Sequence, residues 1–228
     1  MFSVIFEVNP RTTEFNTYLD TAKMLRPELE SVEGFVDNIR YKSLLREGWI
    51  LSLSGWRDEK SLVRWRTKTK HHEAQQKGRD QILQDYHLRV GQITKDTEVP
   101  KGMEIKEQRL DETEVGEGTT VTLITMKRPA EFKDTGNPAD CAQLMGLDPR
   151  ANGILEWDLF DAVLTPGDLI LLISWHDHVA AERFEDEFTV PDGARLRRVR
   201  VVRDYSMFDR REAPQYYADA KGRESIHA

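Results

Sequence analysis

Two adjacent histidines, His71 and His72, lie in a lysine-rich stretch that follows Trp65. Imidazole ionises near neutral pH, so a histidine can serve as a general base or as an axial ligand of haem. If one helix carries Trp65 onward through this stretch, His72 lies on nearly the same face as Trp65, and His71 points well away. We therefore predict Trp65 and His72 as catalytic residues and His71 as a substrate contact. The alternative is that Trp65 is a core residue and His72 a surface residue.

Asn38, Arg40 and Tyr41 lie in one strand-like run, in which successive side chains point to opposite faces. Asn38 and Arg40 therefore share one face, and Tyr41 lies on the other. We predict Asn38 and Tyr41 as substrate-binding residues that line a pocket. Arg40 is better interpreted as a solvated residue at a sheet edge.

His176, Asp177 and His178 look at first like a metal-binding cluster. The internal repeat of the chain aligns Asp177 with Asp58, which directly follows a strand-like run and is well placed to cap a helix. Asp177 is therefore interpreted as a cap, with exposed histidines beside it, and we predict no metal site. The arginines between positions 195 and 200 alternate along a strand beside acidic segments, which favours a solvated strand face over a nucleic-acid-binding surface.

That repeat is visible as identical residues at a fixed offset of 119 positions (153 minus 34). The offset extends back to Ile5 with Ile124, and it falls to 108 near the end (203 minus 95). The second copy thus lacks 11 residues (119 minus 108), equivalent to the region from Lys70 to Gln81. A repeat predicts two copies of one structural unit, and the shortening predicts copies of unequal function. The identical pairs are Gly34 with Gly153, Gly48 with Gly167, Trp56 with Trp175, Asp58 with Asp177 and Arg64 with Arg183.

Each copy shows the order strand, helix, strand, strand, helix, strand. In the first copy a β-rich run from Phe2 to Val8 precedes helical periodicity from Phe15 to Leu29, and a hairpin turns at Gly48. This order is that of a ferredoxin-like unit. Two such sheets that face each other bury apolar faces that one unit alone would expose. The predicted fold class is therefore α+β, with two tandem ferredoxin-like units whose antiparallel sheets form a pseudo-dimer of the dimeric α/β-barrel type.

The predicted boundaries follow the repeat. Residues 1–96 form the first unit, 97–118 an acidic linker, 119–208 the second, shortened unit, and 209–228 a polar C-terminal tail. The linker is long enough for two chains to exchange arms, which makes a homodimer of the tandem chain the alternative to a barrel closed within one chain.

Composition excludes several classes of protein. With 33 basic and 40 acidic residues of mixed order, the net charge is −7, which argues against a nucleic-acid partner. The single cysteine, Cys141, excludes an internal disulfide and fits a reducing compartment. The first ten residues lack the pattern of a secretory signal, and no apolar run is long enough to span a bilayer. We therefore expect a cytoplasmic protein with no membrane partner.

Three features of the first repeat resemble the antibiotic biosynthesis monooxygenase family. They are the run Glu33-Gly34-Phe35, the strand that ends at Trp56 before Asp58-Glu59, and Trp65 followed by the two histidines. The resemblance covers nearly all of the first repeat and, more weakly, positions 120–204. It implies a cofactor-independent monooxygenase, or a related enzyme, that acts on an aromatic or polyketide-like small molecule. In that chemistry the substrate carbanion reduces oxygen, and the protein supplies an apolar pocket, a base and hydrogen-bond donors.

The same resemblance carries two alternatives. The haem-degrading branch of the family shares a tryptophan at the position of Trp65, which implies haem binding, with or without degradation. That branch also has an asparagine in the first strand and a histidine after the tryptophan, where Ile5 and Ala74 stand in this chain. A charge-rich surface and the absence of nucleotide-binding or nucleophile motifs favour the second alternative, a non-catalytic ligand-binding or interaction module.

Overall fold

The structure is a computed structural model that describes residues 1–106, 116–132 and 136–208. Most of the predicted linker's central part and the whole predicted tail, 209–228, lie outside these residues. No helix in the described part of the chain is long and apolar enough to cross a membrane.

The first repeat folds as a sheet covered by helices. Helix α1 contains Pro27 in its last turn and still continues to Glu30. The elements are β1 (Phe2–Pro10), α1 (Phe15–Glu30), β2 (Phe35–Ser43), β3 (Ile50–Trp56), α2 (Glu59–Arg66), α3 (Thr69–Lys77) and β4 (Leu83–Asp96).

The second repeat has the same order with less helix. Nothing corresponds to α3 in its described residues, because α5 leads directly into the last strand, as the predicted deletion requires. The elements are β5 (Thr120–Lys127), α4 (Pro138–Leu144), β6 (Ile154–Ala162), β7 (Asp168–Trp175), α5 (His178–Glu187) and β8 (Arg195–Ser206).

The eight strands form one closed antiparallel barrel in the order β1-β3-β2-β6-β7-β5-β8-β4. The two repeats meet at two seams. The β4–β8 seam is long, with pairing from His87 to Asp96. The β2–β6 seam is short, since only Tyr41–Ser43 pairs with Phe160–Ala162. The predicted fold class is confirmed, and closure within one chain removes the free strand edges that each half-barrel would have.

The repeat also holds at the level of contacts. Asp58 and Asp177 both cap helices, because their side chains accept hydrogen bonds from the backbone N–H groups of Ser61 and Ala180. Gly34 and Gly153 both have positive φ, +88° and +93°, which favours glycine. The predicted caps are therefore confirmed, and His176 and His178 are exposed, as expected.

One detail of the predicted repeat is wrong. Ile5 pairs with Leu53, and Leu123 pairs with Leu172, so Leu123 rather than Ile124 is the counterpart of Ile5. The offset in the first strand of each unit is therefore 118 (123 minus 5). Ile124 faces the helices of its own unit instead. The correction matters because a shift of one residue exchanges the two faces of a strand.

The barrel interior is apolar in the middle and polar at both ends. The buried middle includes Ile5, Leu53, Leu123, Phe160 and Leu172. Glu7 pairs with His87 near the start of β4, and Arg197 pairs with Asp96 at its end. We therefore call the two ends of the barrel the Glu7 end and the Arg197 end. These two ends contain the buried charges discussed below.

Candidate functional site

The Glu7 end contains a buried ion pair between Glu7 and Arg89. Glu7 lies on the inward face of β1 and is only 3% exposed, while Arg89 lies on the inward face of β4 and is 2% exposed. Arg89 Nη2 donates to Glu7 Oε2 in a short hydrogen bond, and its Nη1 donates to Ser174 Oγ at 2.6 Å. Glu156 Oε1 lies 3.4 Å from the same Nη1. The Arg89 guanidinium is therefore held by residues of both repeats.

Arg46 joins this cluster from the β2–β3 hairpin. Its Nη2 lies 2.5 Å from Glu7 Oε1 and 2.6 Å from Asp158 Oδ2. Arg46 also lies 4.5 Å from the centre of the Trp49 ring, a cation–π distance that fixes its orientation. Ser43 Oγ is 2.9 Å from both carboxylate oxygens of Asp158. The hairpin of the first repeat thus positions a carboxylate of the second.

A cavity of about 290 Å³ opens against this cluster. Glu7, Arg46 and Asp158 form its polar wall together with Glu156. Its volume is close to the lower limit for a small-molecule pocket, and the mixture of an apolar wall and a few convergent polar groups is typical of such sites. The apolar wall consists of Leu45, Leu155, Trp157 and Leu172.

Glu7 and Asp158, two of the three carboxyl groups that line the cavity, have pKa values shifted in opposite directions. Burial raises the pKa of Asp158 to about 6; the Glu7 charge adds to this, and Arg46 opposes it. Burial also acts to raise the pKa of Glu7, but the charges of Arg89 and Arg46 outweigh it and hold that pKa well below its usual range. Of these two, Asp158 is the carboxyl group that gains and loses a proton nearer neutral pH. Two carboxyl groups with separated pKa values are a common arrangement for acid–base chemistry.

The same end brings together three groups that can bind metals. The ligand atoms of Glu7, His87 and Glu156 all lie within 4.8 Å of one another. Arg89 already contacts both glutamates, and His87 Nε2 lies 2.7 Å from Asp204 Oδ1. A cation would have to compete with the Arg89 guanidinium, so the observed contacts are those of an ion-pair network.

Trp65, His71 and His72 lie outside the barrel, on the helical layer. The expected orientation of the histidines is wrong: His71 stacks on Trp65 with ring centres 4.2 Å apart, and His72 is exposed. The cause is a break between α2 and α3, where Lys68 adopts extended backbone with ψ 131°. Thr67 Oγ1 donates to the Val63 carbonyl at 3.1 Å at the end of α2. The orientation predicted from sequence requires a continuous helix, and the break exchanges the positions of the two histidines.

His71 is held as a neutral imidazole. Burial lowers its pKa to about 4, although its Nδ1 lies 3.1 Å from the Trp65 carbonyl oxygen, a contact that opposes the shift. A neutral imidazole that donates through Nδ1 leaves Nε2 free, which is the form of histidine that ligates haem iron. Trp65, His71 and His72 do not line the cavity at the Glu7 end. They also do not line a second groove, which lies beside Asn38.

Asn38 and Tyr41 lie on opposite faces of β2, as the alternation predicts. Asn38 faces outward, donates to Ser52 Oγ at 3.2 Å, and lines a groove of about 330 Å³ between α1 and β2. Tyr41 faces the barrel interior, is 4% exposed, and burial raises its pKa to about 12. The structure therefore separates these two residues from each other and from Trp65. Their predicted role in substrate binding stays a prediction.

Arg197 corrects the interpretation of the arginine run as a solvated face. It points into the barrel and is 5% exposed, whereas Arg198 on the opposite face pairs with Glu182 at 2.9 Å. Burial lowers the pKa of Arg197, and the neighbouring Arg195 charge lowers it further. The strand alternation was recognised, but the inward face of β8 was not assigned to the barrel.

Sequence inspection did not identify the Glu7 end. One detectable signal is Glu7 itself, a lone acidic residue on the inward face of an apolar strand. A second is the pair Glu156 and Asp158, which alternate with apolar residues on the face of β6 that carries Phe160. Glu7 meets Arg46 and Arg89 within the sheet of the first repeat, whereas the contact between Arg46 and Asp158 depends on barrel closure.

An eight-stranded barrel built from two α+β repeats defines this protein as a single-chain form of the dimeric α/β barrel. The sequence profile of the family "Antibiotic biosynthesis monooxygenase" matches residues 1–77. The chain is 50% identical over 226 residues to the jasmonate monooxygenase ABM of Pyricularia oryzae, covering 96% of this chain and 100% of that protein. The chain belongs to the antibiotic biosynthesis monooxygenase family, as the resemblance implied. Its relatives support a monooxygenase-type function on a small molecule.

Solved structures agree on the fold. An aldoxime dehydratase superposes with a TM-score of 0.56 at 10% identity, covering 90% of this chain and 83% of that one. A second aldoxime dehydratase, in complex with butyraldoxime, gives a TM-score of 0.56 at 11% identity and covers 90% and 81% of the two chains. At such identity the likeness concerns the fold alone.

Proposed function

We propose that this protein is a monooxygenase that inserts one oxygen atom into jasmonate or a small organic acid of that class. The observation that carries the proposal is 50% identity across the whole of the Pyricularia oryzae jasmonate monooxygenase. This substrate class replaces the aromatic or polyketide-like substrate expected from the wider family.

We place the reaction in the cavity at the Glu7 end. Three features support this placement: an apolar wall, a carboxylate that can accept a proton, and guanidinium charges beside it. Asp158, with its pKa of about 6, is mostly deprotonated at neutral pH and remains basic enough to act as a general base. Arg46 is positioned to stabilise negative charge that develops next to Asp158.

The electron balance separates two versions of this reaction. If the substrate carbanion itself reduces O₂, a CH₂ group becomes C=O and the second oxygen atom leaves as water, so no outside donor is needed. If the product is an alcohol, two further electrons must come from a reductant. We propose the first version, in keeping with the cofactor-independent members of the family.

Haem is the second candidate, and one observation favours it: the half-buried His71, held neutral on the face of Trp65. Haem, when bound, would supply oxygen activation. In this chain His71 Nε2 is the group available as a ligand, and Trp65 would form a neighbouring wall. His72 is exposed and fits this role less well.

The test is to incubate the purified full-length protein with jasmonate and ¹⁸O₂ and to analyse the product by mass spectrometry. We expect one ¹⁸O atom in the product, and loss of two hydrogens if no donor is used. Asp158→Asn should lower turnover by about 10²-fold or more, with Asp148→Asn, an exposed loop carboxylate, as the matched control. Full activity of Asp158→Asn would remove this cavity from the mechanism.

The role of His71 and His72, which lie outside the barrel, is tested in the same assay. His71→Ala and His72→Ala should retain turnover if the reaction takes place at the Glu7 end. A haem titration followed by absorbance provides the second readout. A Soret shift that is lost in His71→Ala would favour the haem candidate, and retention of the shift in that variant would exclude His71 as the ligand.

A further inference from the structure

The two ends of the barrel are related by the repeat, and this relation identifies counterparts residue by residue. Arg89 pairs with Ile5 of β1, and Arg197 pairs with Leu123 of β5. Because Leu123 is the counterpart of Ile5, Arg197 is the counterpart of Arg89, at the offset of 108 (197 minus 89). The two arginines therefore point into the same barrel from equivalent positions at its two ends.

At the Arg197 end, the residues equivalent to the partners of Arg89 are either uncharged or have a shorter side chain. Glu7 pairs with His87, and Thr125 pairs with Arg195, so Thr125 takes the place of Glu7. Glu156 pairs with Ser174 in the second repeat, and Asp37 pairs with Gly55 in the first. Gly55 therefore takes the place of Ser174, and Asp37 takes the place of Glu156. Each of the three replacements is a smaller side chain, and the Asp37 carboxylate lies against Gly55, where a Cβ would come within 2.7 Å of its Oδ1.

As a result Arg197 is buried without a direct partner. Within the described residues Arg197 makes no ion pair and no side-chain hydrogen bond, and its Nε is fully buried and unsatisfied. Asp37, Asp96 and Tyr41 act on it only through longer-range charge interactions. Asp96 is already committed, since both of its carboxylate oxygens bind Arg195, at 2.8 and 2.6 Å. A buried guanidinium without a counterion is costly, and such a charge is normally paired.

We propose that Arg197 is a binding site for the carboxylate of a small organic acid, which takes the position that Glu7 holds beside Arg89. A guanidinium binds a carboxylate through two parallel charge-assisted hydrogen bonds. The apolar body of the ligand would contact the interior cluster and the arm after β4, where Met103 and Ile105 pack onto that cluster. Tyr41, on the inward face of β2, is near enough for Arg197 to influence its ionisation and supplies a further polar group.

This site is separate from the cavity at the Glu7 end, and the proposal does not depend on the reaction proposed above. The carboxylate has two potential sources, a substrate such as jasmonate or a separate organic acid. Both share the chemistry that Arg197 recognises, and the experiment distinguishes them.

The test measures thermal stabilisation and calorimetric binding of the full-length protein with jasmonic acid, with its neutral methyl ester and with butyrate. We expect the two acids, but not the ester, to stabilise the wild-type protein. Arg197→Met should weaken binding by about tenfold or more, the range expected for losing a hydrogen-bonded charge. Arg198→Met, on the opposite face of the same strand, is the matched control and should bind as the wild type does.

Thr125→Glu provides a second variant in which the protein supplies its own carboxylate. It recreates the Glu7–Arg89 arrangement at the other end, so it should raise the Tm without ligand and abolish stabilisation by the acids. This variant keeps the proposal testable if Arg197→Met fails to fold.

Steady-state kinetics identify the source of the carboxylate. A KM for jasmonate about tenfold higher in Arg197→Met, with kcat little changed, assigns the site to the substrate and moves substrate binding from the Glu7 end to the Arg197 end. An unchanged KM, with butyrate binding lost, assigns it to a separate acid. If jasmonate is not oxygenated but acid binding still depends on Arg197, the proposed function fails and the site stands. Equal binding of acid and ester, or acid binding unaffected in Arg197→Met and Thr125→Glu, overturns the site.

Discussion

Arg89 and Arg197 occupy the same position in the two repeats, but within the part of the chain that the structure describes only Arg89 has a carboxylate, that of Glu7, bound to its guanidinium. At the corresponding position next to Arg197 stands the uncharged Thr125. Two buried arginines in equivalent backbone settings thus differ in electrostatic partner. Their removal is expected to have opposite effects on stability.

Replacing Arg89 by methionine should destabilise the protein by about 3–5 kcal/mol, because it leaves Glu7 buried with one of its two guanidinium partners gone. Replacing Arg197 by methionine should stabilise the ligand-free protein by about 1 kcal/mol or more, because it removes a buried charge that lacks a counterion. Urea unfolding at neutral pH measures both changes. Arg197→Met as destabilising as Arg89→Met would mean that Arg197 has a partner of equal strength.

Asp158 should set the lower limit of the pH range for activity. The deprotonated carboxylate is the proposed base, and burial raises its pKa to about 6, so kcat/KM for jasmonate should rise as pH increases through about 6. Asp158→Asn should lose about 10²- to 10⁴-fold in kcat, the usual contribution of a general base. A pH profile of kcat/KM that is flat between pH 5 and pH 7, roughly one unit either side of this pKa, would contradict the assignment.

The Asp158 shift also has an effect on stability that does not require turnover. Its pKa is 3.8 as the reference value and about 6 in the folded protein, so the folded state binds this proton more tightly than the unfolded state. The Asp158 contribution to the free energy of unfolding should therefore fall as pH rises across this window. Denaturation of wild type and Asp158→Asn across the same pH range isolates the contribution as the difference between them.

His71 should stay neutral well below the usual pH for histidine. Burial against Trp65 lowers its pKa from 6.5 to about 4, so its ring carbon resonances should titrate near that pH in NMR spectra. Since the folded state binds the proton less readily, stability from this group is present above 6.5 and is lost as pH falls towards 4. Trp65→Ala should move the titration back towards 6.5, and a wild-type midpoint already at 6.5 would contradict the stacked, desolvated geometry.

Gly34 and Gly153 should tolerate alanine poorly, and equally so in the two repeats. Positive φ alone costs a non-glycine residue about 1–2 kcal/mol. A Cβ would also collide with Ser61 Oγ at Gly34 and lie 2.5 Å from Ala180 Cβ at Gly153. Gly167 has a similar φ, +96°, but open space around it, so Gly167→Ala isolates the backbone cost. Thermal unfolding of the three variants should show larger losses at Gly34 and Gly153.

The sequence predicts the fold well because its main determinants are local. One offset relates three kinds of residue in the two repeats: the glycines that precede strands, the caps at Asp58 and Asp177, and the tryptophans at 56 and 175. The role of each depends on neighbours close in the chain. The position of His72 could not be predicted, since one extended residue at Lys68 ends the helical periodicity on which it depended.

The buried charges were missed for a different reason. Glu7, Arg46 and Asp158 come from three separate segments. Glu7 meets Arg46 in the sheet of the first repeat, and Arg46 meets Asp158 only once the barrel has closed. Arg197 was recognised as part of an alternating strand, but alternation does not say which face is buried when both faces contain charges. Glu7 corresponds to Thr125 only when β1 and β5 are aligned at an offset of 118 positions. That offset is known from the strand register and not from the sequence.

The short β2–β6 seam has a consequence for how the barrel opens. Only Tyr41–Ser43 pairs with Phe160–Ala162 there, whereas pairing in the β4–β8 seam extends over most of β4. Local unfolding begins where the fewest backbone hydrogen bonds must break. The amide protons of Leu44 and Val163, which bond to the Leu159 and Arg40 carbonyls across this seam, should therefore exchange with solvent earlier than those of β4. The hairpin residues Leu45 and Arg46 beside this seam line the cavity. Opening of the short seam is thus the expected route for solvent or a ligand into the barrel interior.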